Sequence, residues 1–329
     1  MTLPNSRQPG AGSFCPEVTA HTPEKERPAG EAGPKDFPFI NYSTVRSQRG
    51  IGRKTAEQID ACLKILGEIQ PATVRAVCYR MFVAGRISRM AKNETNKVSR
   101  LLTTAREKGL IPWDWIVDET REAEHAATWR SPAQIVAAAV RTYRRDHWQA
   151  QPCWLEVWSE KGTVRGTLAP VLNEYGVTFR VMHGYGSATA LHDVAELTAS
   201  AEKPLTALYV GDHDCSGMHM SEVDIPGRLT RYDGSAQIAR IALTADDTPS
   251  LPAFAAKPTD PRYGWYLERY GGQCWELDAL SPVILRNRVE AAILAHIDLD
   301  AWQQGLLVES AEIESLRRFH DAWRDSQGR

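Results

Sequence analysis

The segment Leu205–Gly217, LTALYVGDHDCSG, constrains the fold of this 329-residue chain more than any other part of it. An apolar run of strand length ends there and is followed at once by Asp212 and Asp214. Residues at i and i+2 share one face of a strand, and in a tight turn both carboxylates can reach one hard cation such as Mg2+. Ser216 and Gly217 then open a predicted helix. The pattern predicts either a cation site or an ordinary polar loop with a helix N-cap.

A third carboxylate, Glu160, follows an earlier predicted strand, Trp154–Trp158. A helical pattern over Thr163–Asn173 comes next, then a predicted strand at Thr178–Met182 and a predicted helix at Ala188–Ala199. This alternation of strands and helices predicts a parallel α/β domain with right-handed crossovers. Ligands collect beyond the carboxyl ends of parallel strands, so we expect Glu160 to converge with the two aspartates.

Three motifs follow the three predicted strands in order: SEKGTV at Ser159–Val164, HGYGS at His183–Ser187 and GDHDCSG at Gly211–Gly217. Together they resemble a Toprim domain, the metal-binding module of topoisomerases, bacterial primases and several nucleases. They are most similar to the topoisomerase VI A subunit and the meiotic double-strand-break transesterases, whose pattern is a Glu-Lys pair and then Asp-x-Asp-Pro-x-Gly. Cys215 stands where that branch usually has proline, which removes no ligand. The resemblance spans roughly Trp154–Leu243.

The resemblance implies a Mg2+ site built from Glu160, Asp212 and Asp214, with Glu160 also counted among the catalytic residues. Lys161, directly after the metal glutamate, is expected to contact a DNA phosphate. The family also implies a homodimer, because in its members the tyrosine of one protomer works with the metal of the other. The chain has no GxxxxGK[ST] loop, so ATP-coupled strand passage would require a separate ATPase partner subunit.

The region before this domain predicts a winged helix that binds DNA. Helices are predicted at Pro71–Phe82 and Asn93–Lys108, followed by a short strand at Leu110–Trp113. Between positions 75 and 108 there are nine basic and two acidic side chains, whereas the whole chain has a net charge of only -2. Concentrated positive charge of this kind is typical of a surface that contacts phosphates. The predicted contact face of the second helix consists of Lys97, Arg100 and Arg106.

Tyr79 decides between two kinds of cleavage chemistry. In the topoisomerase VI A family the nucleophilic tyrosine ends a motif of Arg, acidic, aliphatic, Tyr and Tyr. The chain has Arg75-Ala76-Val77-Cys78-Tyr79, so the acidic residue and the first tyrosine are replaced. Arg75 and Tyr79 are at i and i+4, so we expect the guanidinium to favour ionisation of the phenol and to hold the scissile phosphate.

The alternative is that Tyr79 is a packing residue and that a metal activates water as the nucleophile. The nuclease subunit of Wadjet-type plasmid-defence complexes is similar in this respect, since it joins a winged helix to a Toprim domain without such a tyrosine.

The sequence predicts an α/β protein in four parts. A disordered tail is expected over residues 1–35, which contain six prolines, four glycines and no apolar run. A winged-helix domain with a preceding helix is expected over 36–130, a linker helix over 131–150, and a Toprim domain with a Rossmann-like parallel sheet and C-terminal helices over 151–329. No apolar stretch approaches the ~20 residues of a membrane helix, and the six cysteines include no CxxC pair. We therefore expect a cytoplasmic protein with neither a membrane anchor nor a zinc site.

Three functions are compatible with these features. The preferred one is Mg2+-dependent DNA strand cleavage of the topoisomerase VI A type, by transesterification or hydrolysis. A Toprim enzyme acting on RNA or as a primase-like module is the second, although a zinc module and a longer core are missing. The third is a non-catalytic DNA-binding component of a mobile element or of a replication or defence complex.

Three further charged residues could line the cleft, but we expect surface salt bridges for each of them: Arg262, Glu276 and Asp278.

Overall fold

The computed structural model of the chain describes residues 52–117, 128–182 and 188–327. Within these ranges the protein is mixed α/β and contains a four-stranded parallel sheet, in agreement with the predicted fold class. The predicted tail over residues 1–35 and the motif His183–Ser187 lie outside the described residues.

The first described part of the chain is a helical module. Its elements are α1 (Arg53–Ile69), β1 (Ala72–Thr73), α2 (Val74–Val83), α3 (Lys92–Glu107), a 3-10 turn (Trp113–Trp115) and β2 (Ile116–Val117). The three helices bury their apolar faces against one another, with Ile59, Met81 and Leu102 at the centre. Thr73 caps α2, because its hydroxyl oxygen accepts a hydrogen bond of 3.0 Å from the Ala76 amide.

Both helices predicted for the winged helix are present, but the strand predicted at Leu110–Trp113 is wrong. Pro112 has no N–H to donate, and the chain turns through Trp113–Trp115 before it pairs at β2. β2 pairs with β1 in parallel register, with Ile116 opposite Ala72. The winged helix itself stays a prediction.

The remaining elements form the sheet and its helical layers. They are α4 (Pro132–Thr142), a 3-10 turn (His147–Ala150), β3 (Trp154–Ser159), α5 (Val164–Tyr175), β4 (Thr178–Val181), α6 (Ala188–Ala199), β5 (Leu205–Val210), α7 (Cys215–His219), a π-helical turn (Met220–Asp224), α8 (Ile225–Arg231), β6 (Gln237–Ala242), a 3-10 turn (Ala245–Ser250), β7 (Phe254–Ala255), α9 (Tyr263–Tyr270), β8 (Gln273–Cys274), a 3-10 turn (Leu277–Ala279), α10 (Pro282–Leu294) and α11 (Leu299–Gln327). The sheet order is β4-β3-β5-β6, and all its pairings are parallel. β7 and β8 form a separate antiparallel pair.

β3 and β5 are the central strands, and both faces of each are covered. On one face, Val157 and Leu208 pack against α5 and α10. On the other face, Trp158 and Tyr209 pack against α6 and α8. This burial explains why both strands are nearly continuous apolar runs. Glu156, the charged exception in β3, is buried and forms an ion pair of 2.7 Å with Arg180 of β4.

The C-terminal helix α11 extends over 29 residues and packs along α4 and the turn that follows it. Glu312 accepts hydrogen bonds from the Tyr143 hydroxyl at 2.7 Å and from Arg145 Nη1 at 2.6 Å. Glu309 lies 2.7 Å from His147 Nε2. None of the helices within the described ranges combines the length and the apolar character needed to cross a membrane.

Arg286 of α10 connects the helical module to the sheet. Its guanidinium donates to the carbonyl oxygens of Ile69 at 3.3 Å, Gln70 at 3.1 Å and Pro71 at 3.2 Å. The same group donates to the carbonyl of Thr167 in α5 at 3.3 Å. One half-buried side chain thus fixes the end of α1 relative to the helices that cover the sheet.

Candidate active-site cleft

The carboxyl ends of β3 and β5 lie side by side at one edge of the sheet. Ser159 is paired in register with Val210, so the segments that carry Glu160 and Asp212 leave the sheet at the same level. Both segments therefore open on the same side of the molecule, as the parallel arrangement predicts.

Asp212 and Lys161 form an ion pair across the two strand ends. Lys161 Nζ lies 2.9 Å from Oδ1 and 2.8 Å from Oδ2 of Asp212, and 3.5 Å from Oδ2 of Asp278. Asp212 Oδ1 also accepts a hydrogen bond of 2.8 Å from the Leu277 amide. Burial alone would lower the pKa of Lys161, but the charges of Asp212 and Asp278 raise it overall, so the side chain is a firmly held cation.

Asp214 and Glu160 are half-buried carboxylates whose pKa is raised. Asp214 caps α7, because its carboxylate accepts a hydrogen bond of 2.7 Å from the Gly217 amide. Burial raises the pKa of Asp214, and the charge of Asp212 raises it further. Burial also raises the pKa of Glu160, with added contributions from the charges of Asp214 and Asp212. A nearby cation would stabilise both carboxylates in their charged form.

The three predicted metal ligands share this edge of the sheet but are not tightly clustered. Within the described part of the chain, the one group of three potential ligand atoms within 4.8 Å of one another is that of His192, Asp193 and Glu196. These three residues are exposed on α6 and do not line the cleft beside Asp212. We assign them no metal-binding role.

Gly217 and Arg240 hold the loop between β5 and α7. A Cβ atom at Gly217 would collide with the carbonyl oxygen of Asp212, so the tight return of the chain requires glycine. Arg240 of β6 donates to the carbonyl oxygens of Gly211 at 3.1 Å, Asp212 at 3.2 Å and Gly217 at 2.6 Å. It also donates to the Leu243 carbonyl and the Ser221 hydroxyl. Arg240 therefore determines where the backbone presents the two aspartates.

A cleft of about 520 Å³ separates the helical module from this edge of the sheet. Its sheet wall includes Lys161, Asp212, Glu276 and Asp278. Its helical wall includes Arg75 from α2 and, from α3, the residues Ser99, Thr103 and Arg106. Three cations and three carboxylates thus line the same narrow space.

Glu276 and Asp278 form the expected salt bridges, but they also line this cleft. Glu276 forms an ion pair with Arg75, and Asp278 lies 4.0 Å from Arg75 and accepts a hydrogen bond of 2.8 Å from Thr73 Oγ1. The segment reaches the cleft because the backbone of Trp275 pairs with that of His213, with two N–H to O distances of 2.9 Å. Local sequence carries no sign of a pairing between positions so far apart.

Tyr79 is buried at 4% exposure behind the same contacts. The Arg75 guanidinium carbon lies 6.0 Å from the centroid of its ring. Burial raises the pKa of Tyr79, Glu276 raises it further by its charge and a hydrogen bond, and Arg75 lowers it by less. Arg75 thus acts in the expected direction, because its charge lowers the pKa of the phenol, but burial and Glu276 outweigh it and the pKa of Tyr79 is raised overall.

The predicted basic face of α3 is divided between two sides of the helix. An α-helix turns by about 100° per residue, so Lys97 and Arg106, nine positions apart, point in opposite directions. Arg106 faces the cleft together with Ser99 and Thr103. Lys97 is exposed and pairs with Glu94 at 2.8 Å. Arg100 is exposed and does not line the cleft, so only one of the three predicted contact residues belongs to the site itself.

No protein-family model matches the chain, and a search of curated proteins finds no significant match. The assignment of a function therefore depends on the geometry and charge of the cleft.

Proposed function

We propose that the protein is a Mg2+-dependent enzyme that cleaves DNA strands, with water as the nucleophile. The observation that carries this proposal is the cleft at the ends of two parallel strands, whose lining combines three carboxylates, Asp212, Glu276 and Asp278, with three cationic side chains, Arg75, Arg106 and Lys161. Metal-dependent phosphodiester cleavage needs both features, since oxygen ligands bind the metal and cations bind the phosphate. The Toprim-like order of the motifs supports the same activity.

The residues at the strand ends suit a hard divalent cation. Glu160 and Asp214 offer carboxylate oxygens whose pKa is raised by burial first and by neighbouring carboxylates second, and a bound cation would oppose both effects. Asp212 lies beside them and is already oriented by Lys161 and the Leu277 amide. When bound, Mg2+ would neutralise charge on the phosphate and lower the pKa of a water molecule.

The cationic side chains of the cleft would position the DNA strand. Lys161, fixed by Asp212, presents an ammonium next to the metal ligands. Arg75 is held by Glu276, and a phosphate can take the place of that carboxylate with the same paired geometry. Arg106 lies on the helical wall together with Arg75, opposite Lys161.

The environment of Tyr79 favours hydrolysis over transesterification. A nucleophilic phenol has to lose its proton and reach phosphorus, whereas Tyr79 is buried and its pKa is raised. A supercoiled plasmid incubated with the protein and Mg2+ tests the proposal, with samples analysed with and without protease treatment. We expect nicked or linear DNA that migrates identically in both samples. Intact plasmid across a range of Mg2+ and Mn2+ concentrations would contradict the proposal.

Tyr79→Phe should retain cleavage activity within about threefold of wild type, because the substitution removes only the phenol oxygen from a buried site. Initial rates of plasmid nicking measure the effect. Loss of activity together with a protein-linked DNA end in the wild-type reaction would instead establish the tyrosine as the nucleophile.

Lys97 and Arg100 should supply salt-dependent contacts to DNA outside the cleft. Each phosphate contact contributes roughly 0.9 to the slope of log affinity against log salt, so the double variant Lys97→Ala with Arg100→Ala should lower that slope by about 2. Fluorescence anisotropy with a labelled duplex between 50 and 200 mM salt, roughly the range where such contacts weaken, measures it. Arg317→Ala with Arg318→Ala, on exposed positions of α11, is the matched control. An unchanged slope would remove this side of α3 from the DNA interface.

A further inference from the structure

Trp113 stands exposed at the rim of the cleft. The residue is 61% exposed, although a large aromatic side chain is normally mostly buried in a folded protein. It opens the 3-10 turn Trp113–Trp115, and the guanidinium carbon of Arg106 lies 4.7 Å from the centroid of its ring. Arg106 also lines the cleft, so the indole is held beside the opening and leaves most of its surface free.

The cleft is too small for double-stranded DNA. Its volume of about 520 Å³ lies in the usual range of small-molecule sites. The major groove of a duplex alone is about 12 Å wide and 8.5 Å deep, so a cleft of about 520 Å³ cannot enclose a complete double helix. A short length of a single DNA strand, with its bases unstacked, fits a space of this size.

We propose that Trp113 is a stacking platform for an unpaired base and that the cleft receives its substrate as single-stranded DNA. The inference rests on the proposed function and specifies the substrate class of the same site. Proteins that bind single strands combine a positively charged groove along the backbone with aromatic rings on which the bases stack. Here Arg75, Arg106 and Lys161 provide the charge and Trp113 provides the ring.

Arg106 serves both parts of this arrangement. Its guanidinium polarises one side of the indole by a cation-π contact. Arg75 and Lys161 are paired with carboxylates, whereas the Nε atom of Arg106 is buried without a hydrogen-bond partner within the described ranges.

Because the cleft is too small for a duplex, double-stranded DNA would contact the outer side of α3 through Lys97 and Arg100. A strand separated from that duplex would then pass Trp113 and enter the cleft.

Binding of two labelled oligonucleotides, measured by fluorescence anisotropy in EDTA, tests the inference. One is an ordinary single strand, and the other has the same length but abasic sites at its central positions. The wild-type protein should bind the ordinary strand between about 5-fold and 150-fold more tightly, the range expected for one stacked base. Trp113→Ala should bind both strands with equal affinity, and Trp113→Phe should retain most of the difference. Trp129→Ala, which removes another exposed indole, should behave like wild type.

Two results would overturn the inference: no preference of the wild-type protein for the ordinary strand, or a preference that survives in Trp113→Ala. Thermal denaturation verifies that the variants remain folded. The assay contains no metal, so it is independent of cleavage. A protein that nicks plasmid but ignores the abasic sites would refute the stacking platform alone, and one that prefers bases but never cleaves would refute the proposed function alone.

Discussion

Asp212→Asn should lower the rate of metal-dependent DNA cleavage about 10³-fold, the largest effect expected for any single substitution in the cleft. A metal ion contributes several kcal/mol to the stabilisation of charge in such a reaction, and each 1.36 kcal/mol corresponds to about tenfold in rate. The asparagine keeps an oxygen that can accept the hydrogen bond from the Leu277 amide, but it loses the charge that orients Lys161. Single-turnover nicking of a supercoiled plasmid measures the change.

Asp193→Asn is the matched control for this experiment. Asp193 belongs to the exposed group on α6, so its substitution should leave the rate of nicking unchanged. Anisotropy measurements should show that Asp212→Asn still binds DNA. If Asp212→Asn cleaves at the wild-type rate, cleavage does not depend on Asp212 and this cleft is not the catalytic site.

Arg240→Met should weaken metal binding by about 10-fold to 100-fold, as is usual when a group that orients metal ligands is removed. The methionine keeps an unbranched apolar stem but removes the guanidinium that donates to the carbonyl oxygens of Gly211, Asp212 and Gly217. Gly211 keeps a hydrogen bond from the Leu243 amide and Gly217 keeps one from the Ser221 hydroxyl, so the loss falls most heavily on the Asp212 carbonyl. Because hydrogen bonds to a charged group are worth about 1.5–3 kcal/mol, we expect a loss of about 3 kcal/mol in the free energy of unfolding. Mn2+ titration followed by electron paramagnetic resonance measures the affinity, and urea denaturation measures the stability.

Arg228→Met separates the local effect of Arg240 from general destabilisation. Arg228 of α8 forms an ion pair of 2.9 Å with Asp224 in the preceding turn, and only 13% of its side chain is accessible. Its loss should reduce stability without changing the Mg2+ concentration needed for cleavage. Excess Mg2+ should restore activity to Arg240→Met. If Arg240→Met is unstable but has the wild-type metal requirement, Arg240 has only a structural role.

The sequence alone predicts the strands and helices whose buried residues follow a regular pattern along the chain. β3 and β5 are continuous apolar runs because both of their faces are covered, and the helix at Ala188–Ala199 agrees with its prediction at both ends. β6 received no assignment, because Gln237–Ala242 is a half-exposed edge strand with Arg240 inside it. The role of Arg240 is visible only in the folded protein, where it donates hydrogen bonds to the loop between β5 and α7.

The composition of the cleft depends on contacts that no local pattern records. The strand ends were predicted because parallel strands align their carboxyl ends, but Glu276 and Asp278 arrive through the distant pairing of Trp275 with His213. The positive charges in this region predict a basic helix at α3, but the helical period of 3.6 residues puts Arg106 and Lys97 on opposite sides of that helix. Glu276, whose charge and hydrogen bond add to the raised pKa of Tyr79, lies about 200 positions later in the chain.

The contacts of Arg286 and Asp278 determine when the cleft can exist during synthesis. Thr73 and Asp278 are separated by 205 positions, and Pro71 and Arg286 by 215. A growing chain therefore exposes its basic helix α3 long before the segment that closes the cleft has left the ribosome. We expect such an incomplete chain to attract DNA phosphates without being able to cut them, because the two walls meet only after α10 is made. Under the proposed function, the fold thus delays any cleavage of DNA until α10 has been made.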